Sequence, residues 1–394
     1  MGRLVFCTFL CFSAIGTATA AIAEPYRPPH DTEVLETLPA SGDAGQRELR
    51  QLSATLAEDP MNRRLAVTVA RRYIQAARTE ADPRYHGYAQ AALAPWWDLA
   101  APPVEVLLLR AVVRQGRHDF DGALADLDRV LAARPRDSQA WLTRAFVLQV
   151  QGRYDAAMTS CRRLAPTADA LVTATCIGRV ESLSGRAEAG YGRLRRALDA
   201  APDAPERIRV WALTVLAETA ARRGDPAVAD THFRDALAPG VRDSYLLGAY
   251  ADFLLDQGRA EEAAALLKGE MRIDALLLRL TIAEHRLDRA AAADHTAVLR
   301  ARFAAGSARN DTRHLREEAR FTLEVLGQAR RALALAKENW RTQREPADAR
   351  LVLAAAAAAN APGEAHAVLD WLGRTGLEDA ALEPLVQRLE RGDG

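Results

Sequence analysis

Cysteine is scarce in this chain: four in 394 residues, at positions 7, 11, 161 and 176. Two of them fall in the N-terminal apolar stretch. The remaining pair, Cys161 and Cys176, matches no zinc-ligand spacing, so a structural metal is not expected. Excess charge of either sign is also missing, since Lys plus Arg and Asp plus Glu each number 52. That balance, with no basic face, speaks against a nucleic-acid partner. Beyond the first two dozen residues there is no long apolar run. The stretch from Leu351 to Ala359 is short and dominated by alanine, far from the ~20 residues a membrane span needs. A nucleophile elbow, a phosphate loop, a dinucleotide fingerprint and a zinc-protease helix are all absent. The eight histidines are scattered. Their densest neighbourhood, Glu284-His285 with Asp288, Asp294 and His295, lacks ligand spacing and reads as a charged helix face. No catalytic residue, metal ligand or cofactor is expected.

What is present begins with a compartment signal. Residues 1–23 carry one early basic residue, Arg3, then an apolar run from Leu4 to about Ile15, then a tail ending Ala21-Ile22-Ala23. This order of charge, short apolar segment and small residues is that of a cleavable signal peptide, with cleavage expected after Ala23. The mature chain is then periplasmic or secreted, with no integral membrane segment. In such an oxidising space Cys161 and Cys176 form a possible disulfide, two buried free thiols being the alternative. Residues 24–45 are proline-rich, lack helical periodicity and read as an extended segment.

From Val104 onward the chain repeats. In the segment from Ser138 to Leu171, Trp141, Ala145, Leu148, Gly152, Tyr154, Ala157 and Cys161 recur in register with their neighbours. The preceding segment supplies Leu107, Ala111, Phe120, Ala123, Leu127, Val130 and Pro135. Later segments supply Gly178, Gly185, Leu194 and Ala197, then Leu213, Ala217, Gly224, Ala229 and Phe233, then Leu247, Ala251, Gly258 and Ala263. Small residues allow two helices to approach, large ones fill the space beside them, and Gly152, Gly185, Gly224 and Gly258 sit where a first helix must stop. Pro135 and Pro202 end second helices. Extra residues around Pro205 to Arg209 imply a lengthened first helix or a longer turn.

These positions and their ~34-residue period resemble the tetratricopeptide repeat. The resemblance implies an all-α, right-handed superhelical solenoid of stacked helix-turn-helix repeats. Five units occupy 104–272. Before them, 46–103 reads as a degenerate helical repeat or cap, closed by Pro95-Trp96-Trp97, the two tryptophans plugging a junction. After them, 273–394 reads as degenerate helical repeats, with a flexible loop expected from Ala304 to Thr312.

The same resemblance places certain first-helix positions on a concave groove that binds an extended peptide or partner helix. Carried onto this chain, they are Gln139, Leu142, Phe146 and Gln149; then Thr175, Arg179 and Ser182; then Trp211, Thr214, Glu218 and Arg222; then Tyr245, Asp252 and Asp256. The lysine–arginine carboxylate clamp of chaperone-tail binders is missing from the set. A non-enzymatic scaffold or adaptor for a protein partner is the leading expectation. A structural accessory subunit of an envelope complex is the second, and an enzyme with an unrecognised site the third.

Overall fold

The computed structural model describes His30 and residues 44–241, 243–309, 311 and 313–391. The leader expected over 1–23, and nearly all of the extended segment expected over 24–45, lie outside the described residues. Within the compact unit from Leu49 to Gly394, every regular element among the described residues is helical.

The first group is α1 (Ala44–Glu58), α2 (Arg63–Glu80), α3 (Arg84–Ala92) and the single turn α4 (Ala94–Trp97). Trp96 and Trp97 are both buried, in a core with Val69, Leu93 and Val106, so the tryptophan pair seals the passage into the repeats. Beneath it Arg110 donates to the Trp97 carbonyl and pairs with Asp126 at 2.6 Å.

Eight helical hairpins follow. They are α5 (Val104–Gly116) with α6 (Phe120–Ala133), α7 (Ser138–Val150) with α8 (Tyr154–Arg162), α9 (Ala170–Ser182) with α10 (Ala187–Asp199), and α11 (Glu206–Arg222) with α12 (Pro226–Leu237). Then come α13 (Ser244–Asp256) with α14 (Ala260–Leu266), α15 (Asp274–Arg286) with α16 (Ala291–Ala308), α17 (Leu315–Glu324) with α18 (Ala329–Trp340), and α19 (Pro346–Ala358) with α20 (His366–Thr375). The last helix is α21 (Glu383–Arg391). Each first helix packs on its own second helix and on the first helix of the next unit.

Local chemistry explains the breaks. Asp119, Asp137, Asp169 and Asp243 accept hydrogen bonds from the exposed N–H groups that open α6, α7, α9 and α13. Between the two helices of a unit the backbone turns through the left-handed region, at Gly152, Gly185, Gly224 and Gly258 with φ of 69°, 71°, 79° and 72°. The same place in the remaining hairpins is held by His118, Asp288, Gly327 and Asn360. The hairpin geometry therefore continues past residue 272 although its glycine signature fades.

Two expectations are refined. The insertion near Pro205 lengthens a first helix: α11 has 17 residues where α7, α9 and α13 have 13. The loop expected over 304–312 is a correction, because α16 runs on to Ala308. Leu299, Phe303 and Gly306 on its inner face are buried, and that packing outweighs the cost of glycine in a helix. Only Arg309 and Asp311 of the proposed loop are non-helical among the described residues.

Candidate functional site

First helices α7, α9, α11 and α13 stand side by side and carry every residue expected to line the groove. Their side chains divide into an open part and a covered part. Gln139 and Tyr245 are exposed, and Leu142, Phe146 and Trp211 are half-buried. The Phe146 and Trp211 rings meet at 5.7 Å between centroids. Gln149, Thr175, Ser182 and Thr214 are buried and do not face outward as expected. Two of these hydroxyls are turned back onto their own helices, Thr175 to the Leu171 carbonyl at 2.6 Å and Thr214 to the Val210 carbonyl at 2.8 Å.

The cover is the chain's own C-terminal end. The Arg344 N–H donates to the Val150 carbonyl at 2.7 Å, and the Ala380 N–H to the Arg222 carbonyl at 2.9 Å. Trp371 packs its ring against Tyr154 at 6.1 Å and against Trp340 at 5.2 Å. A Cβ on Gly185 would stand 3.0 Å from the Gly376 carbonyl oxygen, so the left-handed glycine also permits this close approach.

Ion pairs cross the same boundary. Asp252 receives Arg279 at 2.6 Å and Arg320 at 2.5 Å, and Asp256 receives Arg350 at 2.5 Å. Burial works against the Asp252 charge, yet the two guanidinium groups outweigh it and hold the carboxyl at about 2. Arg179 lies between Glu218 at 3.2 Å and Glu345 at 3.3 Å. It also donates to the Tyr245 hydroxyl at 3.1 Å, and that hydroxyl donates to Glu218 at 2.6 Å. Burial of the hydroxyl raises the Tyr245 pKa, with Glu218 and Glu345 adding to the shift against Arg179, while the residue as a whole is 51% exposed. Arg222 donates to the Ser182 hydroxyl at 2.8 Å. Burial would raise the Glu345 pKa, but Arg316 and Arg179 lower it below the ordinary range.

Glu345, Arg316, Arg320 and Arg350 were not singled out from the sequence. A trace was present in Glu345-Pro346-x-Asp348, whose two carboxylates form a capping box at the start of α19. The cluster around Glu284 consists of one contact, His295 Nδ1 to Glu284 Oε2 at 2.7 Å, with His285 turned toward Thr296 at 3.0 Å. No group of three or more His, Cys, Asp or Glu among the described residues is arranged to hold a metal ion. No helix among them is long and apolar enough to cross a membrane. Cys161 on α8 and Cys176 on α9 are bonded, with Cα atoms 5.5 Å apart.

Small residues at the hairpin crossings, a left-handed turn between paired helices and first helices forming one continuous face decide the architecture. The fold is of the tetratricopeptide type. No family model matches the chain, and no curated protein matches it. Solved structures similar to it include PilW, described as a type IV pilus biogenesis factor, at 22% identity and TM-score 0.41, over 51% of this chain and 94% of that one. Rap protein, solved in complex with competence and sporulation factor, is similar at 13% identity and TM-score 0.45, over 87% and 98%. The pentatricopeptide repeat protein PPR10, solved with an 18-nt psaJ RNA element, is similar at 18% identity and TM-score 0.32, over 89% and 51%. The tetratricopeptide face of this chain differs from an open groove in one respect: its later hairpins cover part of it.

Proposed function

We propose that the chain is a non-enzymatic, exported scaffold that takes a protein segment on the uncovered part of its tetratricopeptide face, at Phe146, Trp211 and Tyr245. The observation carrying this reading is the state of Tyr245. The residue is 51% exposed while its hydroxyl is fixed by Glu218 and Arg179. An aromatic side chain held rigid before a partner arrives loses little entropy on binding, which is how anchor residues come to dominate interfaces. Phe146 and Trp211, whose rings meet, are half-buried on the neighbouring α7 and α11, and Gln139 and Leu142 also lie on α7. A periplasmic location is supported by the leader pattern in the first 23 residues and by the bonded cysteine pair, a device of oxidising compartments.

The test is the double variant Trp211→Ala with Tyr245→Ala, set beside Tyr245→Ala alone. A partner cross-linked to the wild-type chain in the periplasm is expected to be lost from both variants while far-UV circular dichroism stays the same. Capture at wild-type strength by both would remove the patch as the binding site.

A further inference from the structure

Helix α2 presents a solvent face whose one acid, Glu80, stands at its last position. Its inward side consists of Ala66, Val67, Val69, Ala70 and Ala77. On the opposite side Arg64, Thr68, Arg71, Arg72, Gln75, Arg78 and Thr79 are all exposed. Arg64, Arg71 and Arg78 recur every seven residues, which on an α-helix sets them along one line about 10 Å apart. None of these three has an ion-pair partner among the described residues. Other exposed arginines are paired in part. Exposed Arg234, Arg289 and Arg341 each find a carboxylate, in Asp230, Glu261 and Glu338. The helix has one acid, Glu80, and its carboxylate accepts the Tyr85 hydroxyl at 2.9 Å. In a chain with 52 basic and 52 acidic residues, this line of three guanidinium groups is a local concentration of positive charge. At the start of this helix, one turn from Arg64, lies Met61, 69% exposed and the most exposed large apolar side chain among the described residues.

We propose that this face of α2 docks the protein peripherally on a bilayer containing anionic phospholipid. Guanidinium groups pair with phosphate oxygens through two parallel hydrogen bonds and are weakly hydrated, so they suit a headgroup layer. The spacing lets each arginine address a separate headgroup, and Met61 supplies an apolar side chain for the acyl boundary. A nucleic acid would share the phosphate chemistry but has no use for Met61. Nothing in this proposal depends on the aromatic patch, which lies on other helices.

The experiment uses the full chain and sedimentation with vesicles of phosphatidylcholine alone, or with ~30% phosphatidylglycerol, at low and raised salt. The wild type is expected to bind the anionic vesicles well above the neutral ones and to release them as salt rises. Arg64→Gln, Arg71→Gln and Arg78→Gln combined should weaken that binding about a hundredfold, roughly fivefold per arginine. Its melting temperature should not change, because glutamine suits an exposed helix position. Met61→Ser should weaken binding less and leave its salt dependence intact. Equal sedimentation with both vesicle types overturns the proposal. So does a triple variant that binds like the wild type, or a chain that takes single-stranded DNA in preference to anionic vesicles.

Discussion

His118 holds a backbone conformation that five of the eight hairpin turns give to glycine, with φ of 60°. The side chain justifies the strain by stacking on Phe120 at 5.4 Å and meeting the Gln343 amide at 3.4 Å. Burial first, and then the positive charge of Arg316, lowers its pKa from 6.5 to about 4; Glu317 opposes the shift, and His314 and Arg313 add to it. The folded chain thus keeps this imidazole neutral where the unfolded chain would protonate it. The unfolded state binds the extra proton between pH 6.5 and 4, so the stabilisation is complete above 6.5 and is lost as pH falls through that window. Its full size is about 3 kcal/mol. His118→Asn keeps a residue tolerant of the left-handed region and removes the titration. Urea midpoints measured from pH 7 to 4.5 should fall less steeply for the variant. Parallel curves for variant and wild type would show that His118 is not responsible.

At the scale of helices, the five hairpins over 104–272 were legible because small and large residues repeat together there, with a turn glycine in four of the five. The later hairpins were harder to read for a physical reason. Asp288 and Asn360 tolerate the left-handed turn without being glycine, so the signature disappears while the geometry persists. The end of α16 was misread because Gly306-Ser307 resembles a loop unless the burial of Phe303 is known. The partial covering of the groove was not legible at all. Its contacts join residues such as Tyr154 and Arg344, 190 positions apart, and no local pattern encodes that. One inter-helix link could be anticipated, the bond between α8 and α9, since both cysteines lie on neighbouring helices joined by a short turn. Denaturing alkylation of the protein without reductant should add no label at Cys161 or Cys176. Addition of two labels would mean free thiols. Reduction should cost about 3 kcal/mol of stability, the value for a closed loop of this length.

For the whole array, the polar groups between early and late hairpins are as consequential as the apolar ones. Arg316 on α17 reaches Asp348 at 2.5 Å and Glu345 at 2.8 Å, and Glu345 passes the connection to Arg179 on α9. The Asp348 side chain is 0% exposed and also accepts the Asn339 amide at 2.7 Å. Arg316→Met would leave a buried carboxylate without its counter-charge, a loss expected to cost about 3 kcal/mol or more. Adding Asp348→Asn should recover part of it. Equilibrium unfolding in urea measures both, and a single-variant loss below about 1 kcal/mol would contradict the assigned role.

The covering of α7 and α9 by residues 340–380 also bears on how the chain folds. In an open repeat array each unit meets only its neighbours, so the ends fray first and stability adds unit by unit. Here the pairing of Trp371 with Tyr154 and of Arg344 with Val150 closes loops of roughly two hundred residues. Such contacts raise the contact order and are reached only after most of the chain has ordered, because their closure entropy comes before their reward. Once made, they couple the second hairpin to the eighth. Deleting the eighth hairpin would therefore uncover Tyr154 in the second, and a chain still emerging during synthesis lacks that cover until Trp371 has been made.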